Sequence, residues 1–173
     1  DHVIIEASSH GLEQKRLNGI KFKAGVFTNF SQDHLDYHKS MKNYFNAKMI
    51  LLSKLLREKK SLITDSKIKE FKKIKKIALK KNLKIITIKK NLYHNSNQIK
   101  NLIGAFQIKN LLMAIEVAKI SGLKNKKIIQ VLKSIASVEG RLQIVKKLPN
   151  KAKVLIDFAH TPDALETVLS SLK

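Results

Sequence analysis

Cysteine is absent from all 173 residues, which rules out a disulfide framework and any thiolate metal site. Long apolar runs are also missing, and the longest fall far short of the ~20 residues needed to cross a bilayer. The opening Asp1-His2-Val3-Ile4-Ile5 is no signal peptide and carries no initiator methionine. It already reads as a strand, so the chain is expected to be an internal piece of a longer cytoplasmic protein. There is no G-x-x-x-x-G-K-[ST] loop, and nucleotide binding therefore does not follow from a phosphate cradle in these residues. Internal repeats are absent too.

Acidic groups are scarce: 13 Asp and Glu face 35 Lys and Arg, a formal net charge of +22. Such an excess suggests nucleic acid or an anionic surface, so its distribution matters. Residues 1–53 carry 7 basic and 5 acidic groups, residues 54–100 carry 16 and 3, and residues 101–173 carry 12 and 5. The excess lies mainly in the middle third, where Lys alternates with Ile and Leu, as in Lys72-Lys73-Ile74-Lys75-Lys76-Ile77. No aromatic residues interleave there for base stacking. The plainer reading is a solvated helix face in the Lys-, Ile- and Asn-rich composition of an AT-rich genome, with no specific nucleic-acid partner and no membrane partner.

The hydrophobic pattern predicts alternating strands and helices. Val3–Glu6 reads as a buried strand ending in a carboxylate, and 8–11 as a turn leading into a short helical stretch through Arg16 and Leu17. Ala24–Thr28 reads as a second buried strand and 29–39 as a polar loop. Ser40 is placed to cap a helix to about Leu56 with Met41, Tyr44, Phe45, Met49 and Leu52 on its apolar face. Strands follow at 61–64 and 83–88, with a Lys-rich helix between them from Asp65 or Ser66 to about Lys81. Residues 89–102 read as loop. Helices are predicted over 106–121, stopped by Gly122, and over 125–136. Strands at 141–145 and 154–156 precede a loop whose Pro162 suits the first turn of a helix through Leu172. The order implies an α/β fold with a parallel sheet, in which ligands bind beyond the carboxyl ends of the strands. Glu6 and the 29–38 loop lie at such ends.

Three short stretches concentrate the chemistry: 6–16 (EASSHGLEQKR), 26–38 (VFTNFSQDHLDYH) and 44–48 (YFNAK). A carboxylate at the end of a buried strand calls for a nearby cation, although Glu6 can equally reach solvent. His34 and His38, with Asp33 and Asp36, raise zinc, but no third ligand set at helical spacing accompanies them. One imidazole with carboxylates and waters suits Mg²⁺ better. Lys48, Arg16 and Arg141 can each be plain surface charges.

Those stretches together closely resemble the central domain of the Mur ligases of bacterial cell-wall synthesis. The match extends through 104–110 (GAFQIKN), 139–141 (EGR) and 156–165 (IDFAHTPDAL), nearly the whole chain. The SSHGL and DFAHTPDAL forms look most like the branch that adds the third peptide residue. The resemblance implies an incomplete central ATPase domain without its P-loop over 1–138. The junction and start of a Rossmann-like C-terminal domain follow over 139–173. It implies Glu6, His34 and Lys48 as Mg²⁺ ligands, with Lys48 carbamylated by CO₂. It implies Ser8, Gln14 and Arg16 as contacts to the UDP-N-acetylmuramoyl-dipeptide, Asn110 as the contact to adenine, Arg141 and Asp157 as ATP-binding positions, and His160 in the same catalytic loop. Gln107 stands where the family usually has Asn, and 89–102 is much shorter than its family counterpart. The implied activity is ATP-driven amide formation by a cytoplasmic monomer in peptidoglycan synthesis, adding a third amino acid that is expected to be meso-diaminopimelate. A lysine-adding or folylpolyglutamate synthase-like ligase, a basic nucleic-acid-binding module and a noncatalytic remnant are the alternatives.

Overall fold

Three parallel strands, β1 (Ala24–Phe27), β2 (Ser61–Thr64) and β3 (Lys84–Thr87), form a sheet in that order. Ala24, Ser61 and Lys84 stand side by side in its register. The computed structural model describes residues 1–88 and 102–172; the sequence-predicted loop at 89–102 falls almost wholly outside the described residues. The remaining elements are α1 (Ser9–Glu13), α2 (Leu35–His38), α3 (Met41–Ile50), α4 (Phe71–Lys80), α5 (Ala105–Ile120) and α6 (Asn125–Leu132). They are followed by β4 (Gln143–Lys147), β5 (Lys153–Ile156) and α7 (Pro162–Ser170). Strands β4 and β5 make an antiparallel ribbon with an irregularity between Ile144 and Lys146.

The core sits on β2. Leu62, Ile63 and Thr64 are fully buried, and the one hydroxyl among them donates to the Phe27 carbonyl at 3.0 Å, so no polar group is left unpaired there. Leu12, Phe45, Met49, Leu52, Leu56 and Ile74 close around the sheet. The Ser40 hydroxyl accepts the Asn43 N–H at 3.2 Å and starts α3 as its composition predicts. After Ile50 the helix widens into a π-helical turn over Leu51–Leu55. That turn delivers Leu56 onto β1, where a Cβ on Gly25 would lie 2.8 Å from Leu56 Cδ1; the strand accepts the close approach because it carries glycine there. Gly122 ends α5 with φ of +96°, and the Leu123 N–H closes back on Ala118 O at 3.0 Å. Thr161 caps α7, with Pro162 in its first turn.

Several boundaries differ from the sequence reading. Val3–Glu6 is not a strand: Val3 and Ile4 are 84% and 89% exposed, and the segment pairs with no described strand, so the edge of β1 away from β2 is left without a strand neighbour. The 8–17 stretch is helical only from Ser9 to Glu13 and then passes into turns. A further short helix, α2, interrupts the loop expected at 29–39. Helix α4 begins at Phe71 rather than at Asp65 or Ser66. There the Asp65 carboxylate accepts the Lys67 N–H at 2.9 Å, folding 65–70 into turns instead of capping a helix. Helix α6 likewise stops at Leu132, four residues before the expected end.

Truncating Leu52, which is fully buried, is expected to cost about 2–5 kcal/mol in Leu52→Ala. Leu79→Ala, at a side chain 60% exposed, is expected to stay within about 0.5 kcal/mol. Urea denaturation of both variants checks this, and equal losses would contradict the placement of the core.

Candidate active site

The carboxyl ends of β1 and β2 face a group of side chains drawn from α1, the 28–38 loop and α3. Ser8 is the N-cap of α1, its hydroxyl accepting the Gly11 N–H at 3.1 Å. Gln14 and Arg16 follow the other end of the same helix and are exposed, with Gln14 Nε2 reaching the Tyr37 hydroxyl at 3.4 Å. The three proposed contacts to the UDP-linked substrate thus flank one short helix. The fold holds that helix from beneath, through Ser9 and His38. Both are almost wholly buried, and Ser9 Oγ lies 2.9 Å from His38 Nε2. His38 Nδ1 lies 3.3 Å from Glu13 Oε2, close enough for an ion pair but out of line for a hydrogen bond.

His38, unlike His34, is almost wholly buried, with Nε2 beside Ser9 Oγ and Nδ1 toward Glu13. Among the described residues no three His, Asp or Glu side chains are placed to hold a metal ion together. His34 caps α2 from a left-handed backbone conformation, φ +53°, and its Nδ1 lies 3.5 Å from Asp33 Oδ1. Its ring meets His10 edge-on at 4.9 Å, and His10 also contacts Tyr37 at 4.2 Å and His38 at 5.3 Å.

Lys48 is one turn beyond Tyr44 on α3, and its Nζ lies 5.2 Å from the Tyr44 ring centre and 5.8 Å from that of Phe27. Burial lowers its pKa below the ordinary 10.5, while Asp33 and, less strongly, Glu6 act in the opposite direction. Burial and then Asp33 raise the Tyr44 hydroxyl to about 12. Glu6 is exposed, and it lines with Lys48, Thr28 and Asn29 a largely apolar cavity of about 600 Å³ between β1 and α5. The donors suit a hard cation in kind, with a carboxylate, an imidazole and an amine of lowered pKa that CO₂ can convert to a carbamate. They are not assembled as a closed ligand set.

A second cluster forms where α5 meets the β4–β5 ribbon. Gln107 Nε2 donates to the Arg141 carbonyl at 2.6 Å, and Asn110, exposed one helical turn on, shares that side of α5. Asp157 is fully engaged in shaping its loop, accepting Leu142 N–H through Oδ2 and Ala159 N–H through Oδ1, each at 2.8 Å. The Arg141 guanidinium lies 5.8 Å from the Phe158 ring centre, and His160 Nδ1 lies 2.9 Å from the Phe158 carbonyl oxygen. Gln32 N–H donates to Asp163 at 3.3 Å, tying the 29–38 loop to the start of α7. Ser9, His10 and Glu13 support the site without having been singled out in the sequence, where His38 reads as a candidate zinc ligand and Tyr44 as part of an apolar helix face. The four-residue spacing of His34 and His38 marks both imidazoles, but nothing in the sequence tells which of them is buried.

Known proteins supply an independent view. Residues 1–118 match the family model for the Mur ligase middle domain. A UDP-N-acetylmuramoyl-L-alanyl-D-glutamate--2,6-diaminopimelate ligase of Rickettsia bellii is 36% identical over 194 aligned positions, covering 100% of this chain and 40% of that protein. The ligase of the same name from Wigglesworthia glossinidia brevipalpis is 39% identical, covering 99% of this chain and 39% of its own length. The chain thus spans about two fifths of the curated relatives it matches. Among solved structures, MurF ligase from Thermotoga maritima in complex with ADP superposes with a TM-score of 0.70 at 14% identity, covering 96% of this chain and 42% of that one. A bifunctional folylpolyglutamate synthase/dihydrofolate synthase from Yersinia pestis gives 0.61 at 17% identity over 88% of this chain and 39% of that one. Both likenesses speak for the fold alone.

Two measurements test the site. With ¹³Cε-labelled lysine, the Lys48 resonance, assigned by Lys48→Arg, is expected to titrate below the ordinary 10.5; titration at or above that value would contradict its burial. His38 has its pKa lowered from 6.5, chiefly by burial against the opposing pull of Glu13. Its stabilising contribution is therefore complete above the unfolded value of 6.5 and is lost as pH falls through the lower folded value. Urea midpoints taken from about pH 8 to about pH 5 are expected to fall less steeply in His38→Gln than in the parent chain. Identical slopes would show that His38 is not the titrating group.

Proposed function

Because the chain belongs to the Mur ligase family, we propose that it is the middle of an ATP-dependent ligase. That ligase would join 2,6-diaminopimelate to UDP-N-acetylmuramoyl-L-alanyl-D-glutamate in peptidoglycan synthesis. The observation that carries the reading is Lys48. It is a lysine with its pKa lowered by burial, set beside Asp33 and Glu6 at the carboxyl ends of parallel strands. Curated relatives bearing that activity in their names match over the full chain and support it. The two domains are read as 1–138 for the central domain and 139–173 for the junction and the start of the next, in keeping with the separate β4–β5 ribbon.

The chemistry needs a carboxylate, a nucleotide and an amine held in line. Ser8, Gln14 and Arg16 would grip the UDP-linked dipeptide around α1. Asn110, Arg141 and Asp157 would seat ATP at the junction, Asp157 by fixing the backbone of its loop. The substrate carboxylate attacks the γ-phosphorus, ADP leaves, and an acyl phosphate forms. The incoming amine then attacks the acyl carbon, phosphate departs with the bonding electrons, and the amine loses a proton. The Arg141 guanidinium and the His160 imidazole would offset charge on the transferring phosphoryl group. A lowered pKa leaves more of the Lys48 amine neutral and able to add to CO₂, forming a carbamate with release of a proton. Glu6, His34 and the Lys48 carbamate would hold Mg²⁺, whose role when bound is to neutralise phosphate charge.

The test is the full-length protein containing this chain. Release of ADP is expected only when UDP-N-acetylmuramoyl-L-alanyl-D-glutamate and diaminopimelate are both supplied. Lys48→Ala is expected to lower it roughly a hundredfold or more, and Gln14→Ala to raise KM for the UDP-linked substrate. Turnover with a different amino acid instead would move the reading to another ligase of the superfamily. The 173-residue chain alone, which contains no P-loop sequence, is expected to release no ADP; turnover by it would overturn the assignment of ATP binding to a longer protein.

A further inference from the structure

The end of the sheet remote from the site has a different electrostatic character. Lys59 N–H donates to Asn82 O at 2.8 Å and Lys84 N–H to Lys60 O at 2.9 Å, which ties the two turns leading into β2 and β3 together. Because Ala24, Ser61 and Lys84 are in register, the segment entering β1 joins the same rim. Lys23, which also borders the cavity beside β1, stands on it with Lys59, Lys60, Lys80, Lys81 and Lys84, all exposed except the half-buried Lys81. None of the six has an ion-pair partner among the described residues. Glu58 is the one carboxylate in these lead-in turns. With neighbouring strands about 4.8 Å apart, the cations crowd within roughly one Debye length, ~8–10 Å at physiological salt. They repel one another unless an anionic surface neutralises them.

Three features select the kind of surface. The cations are lysines, compact hydrated charges on flexible stems that do not demand the forked geometry of a single bound phosphate. Two apolar side chains sit among them, Ile20 at 40% exposure and Leu79 in the last turn of α4 at 60%, a mixture suited to a headgroup boundary. No aromatic side chain in these turns is exposed for base stacking. Helix α4 cannot insert, since its apolar face is spent on the core, where Ile74 and Ala78 are fully buried.

We propose that this rim docks the protein peripherally on an anionic lipid surface, through lipid headgroup phosphates. The carboxyl ends of the strands, and the site they carry, then face away from the bilayer. The proposal is independent of the ligase reading. It concerns surface contact only: no helix among the described residues is long and apolar enough to cross a membrane.

Cosedimentation of the full-length protein containing this chain with vesicles tests it. Binding is expected to vesicles of phosphatidylcholine mixed with phosphatidylglycerol at low salt, and not to phosphatidylcholine alone. The triple variant Lys60→Glu, Lys80→Glu, Lys81→Glu is expected to lower partitioning by roughly a hundredfold or more. The control Lys126→Glu, Lys127→Glu, Lys133→Glu carries the same net charge but alters exposed lysines in and beside α6, and is expected to bind nearly as the parent does. Circular dichroism verifies that both variants fold. Absence of vesicle binding overturns the proposal. Equal losses in the two triple variants would assign binding to net charge at large. Displacement from vesicles by duplex DNA at equal phosphate would make the rim a nucleic-acid surface.

Discussion

Parallel, in-register pairing of three four-residue strands is the constraint on which the structure depends. A parallel pair cannot close through a tight hairpin, so each crossover must travel back over the sheet. Helices α3 and α4 do this and bury their apolar sides in doing so. The same polarity sends every carboxyl end to one edge of the sheet and every lead-in turn to the other. Glu6, Asp33 and Lys48 gather near the first edge, while lysines line the second. The charge asymmetry of the molecule thus follows from strand direction, not from composition alone.

Two cation-forming side chains, the half-buried Lys48 and the buried His38, govern the site. Lys48 keeps its amine above aromatic rings at a cost in hydration, which is what makes a neutral amine accessible at moderate pH. His38 is buried neutral between Ser9 and Glu13 and fixes α1 against α2. Without it, Ser8, Gln14 and Arg16 would hang from a five-residue helix too short to persist by itself. The apparent histidine pair thereby separates into a structural imidazole and a site imidazole.

At the other cluster, Asp157 spends both carboxylate oxygens on backbone N–H groups. Its contribution is to hold the loop bearing Phe158 and His160. A Cβ on Gly140, φ +63°, would lie only 2.1 Å from Phe158 Cε2, so the turn before Arg141 is built for that ring. Gln107 completes the junction through the Arg141 carbonyl, a contact that a shorter side chain at that position would not reach from the same backbone.

Elements whose patterns are local were legible from the residues. The strand at 61–64, the Ser40 cap, the Gly122 stop and the Pro162 helix start each rest on a few adjacent side chains and appear where expected. Short motifs at 6–16, 26–38 and 156–165 were enough to point to the family. Val3–Glu6 was misread because an apolar run specifies a strand only if another strand pairs with it. The start of α4 was misread because the Asp65 carboxylate closes a turn in place of capping a helix. The sequence by itself determined the α/β class, the lysine excess and the residues available for chemistry, since these depend on composition and short-range spacing. Only the tertiary structure decided which histidine is buried, how far Lys48 is desolvated and which lysines share a rim, since each of these depends on segments distant in the chain packing side by side.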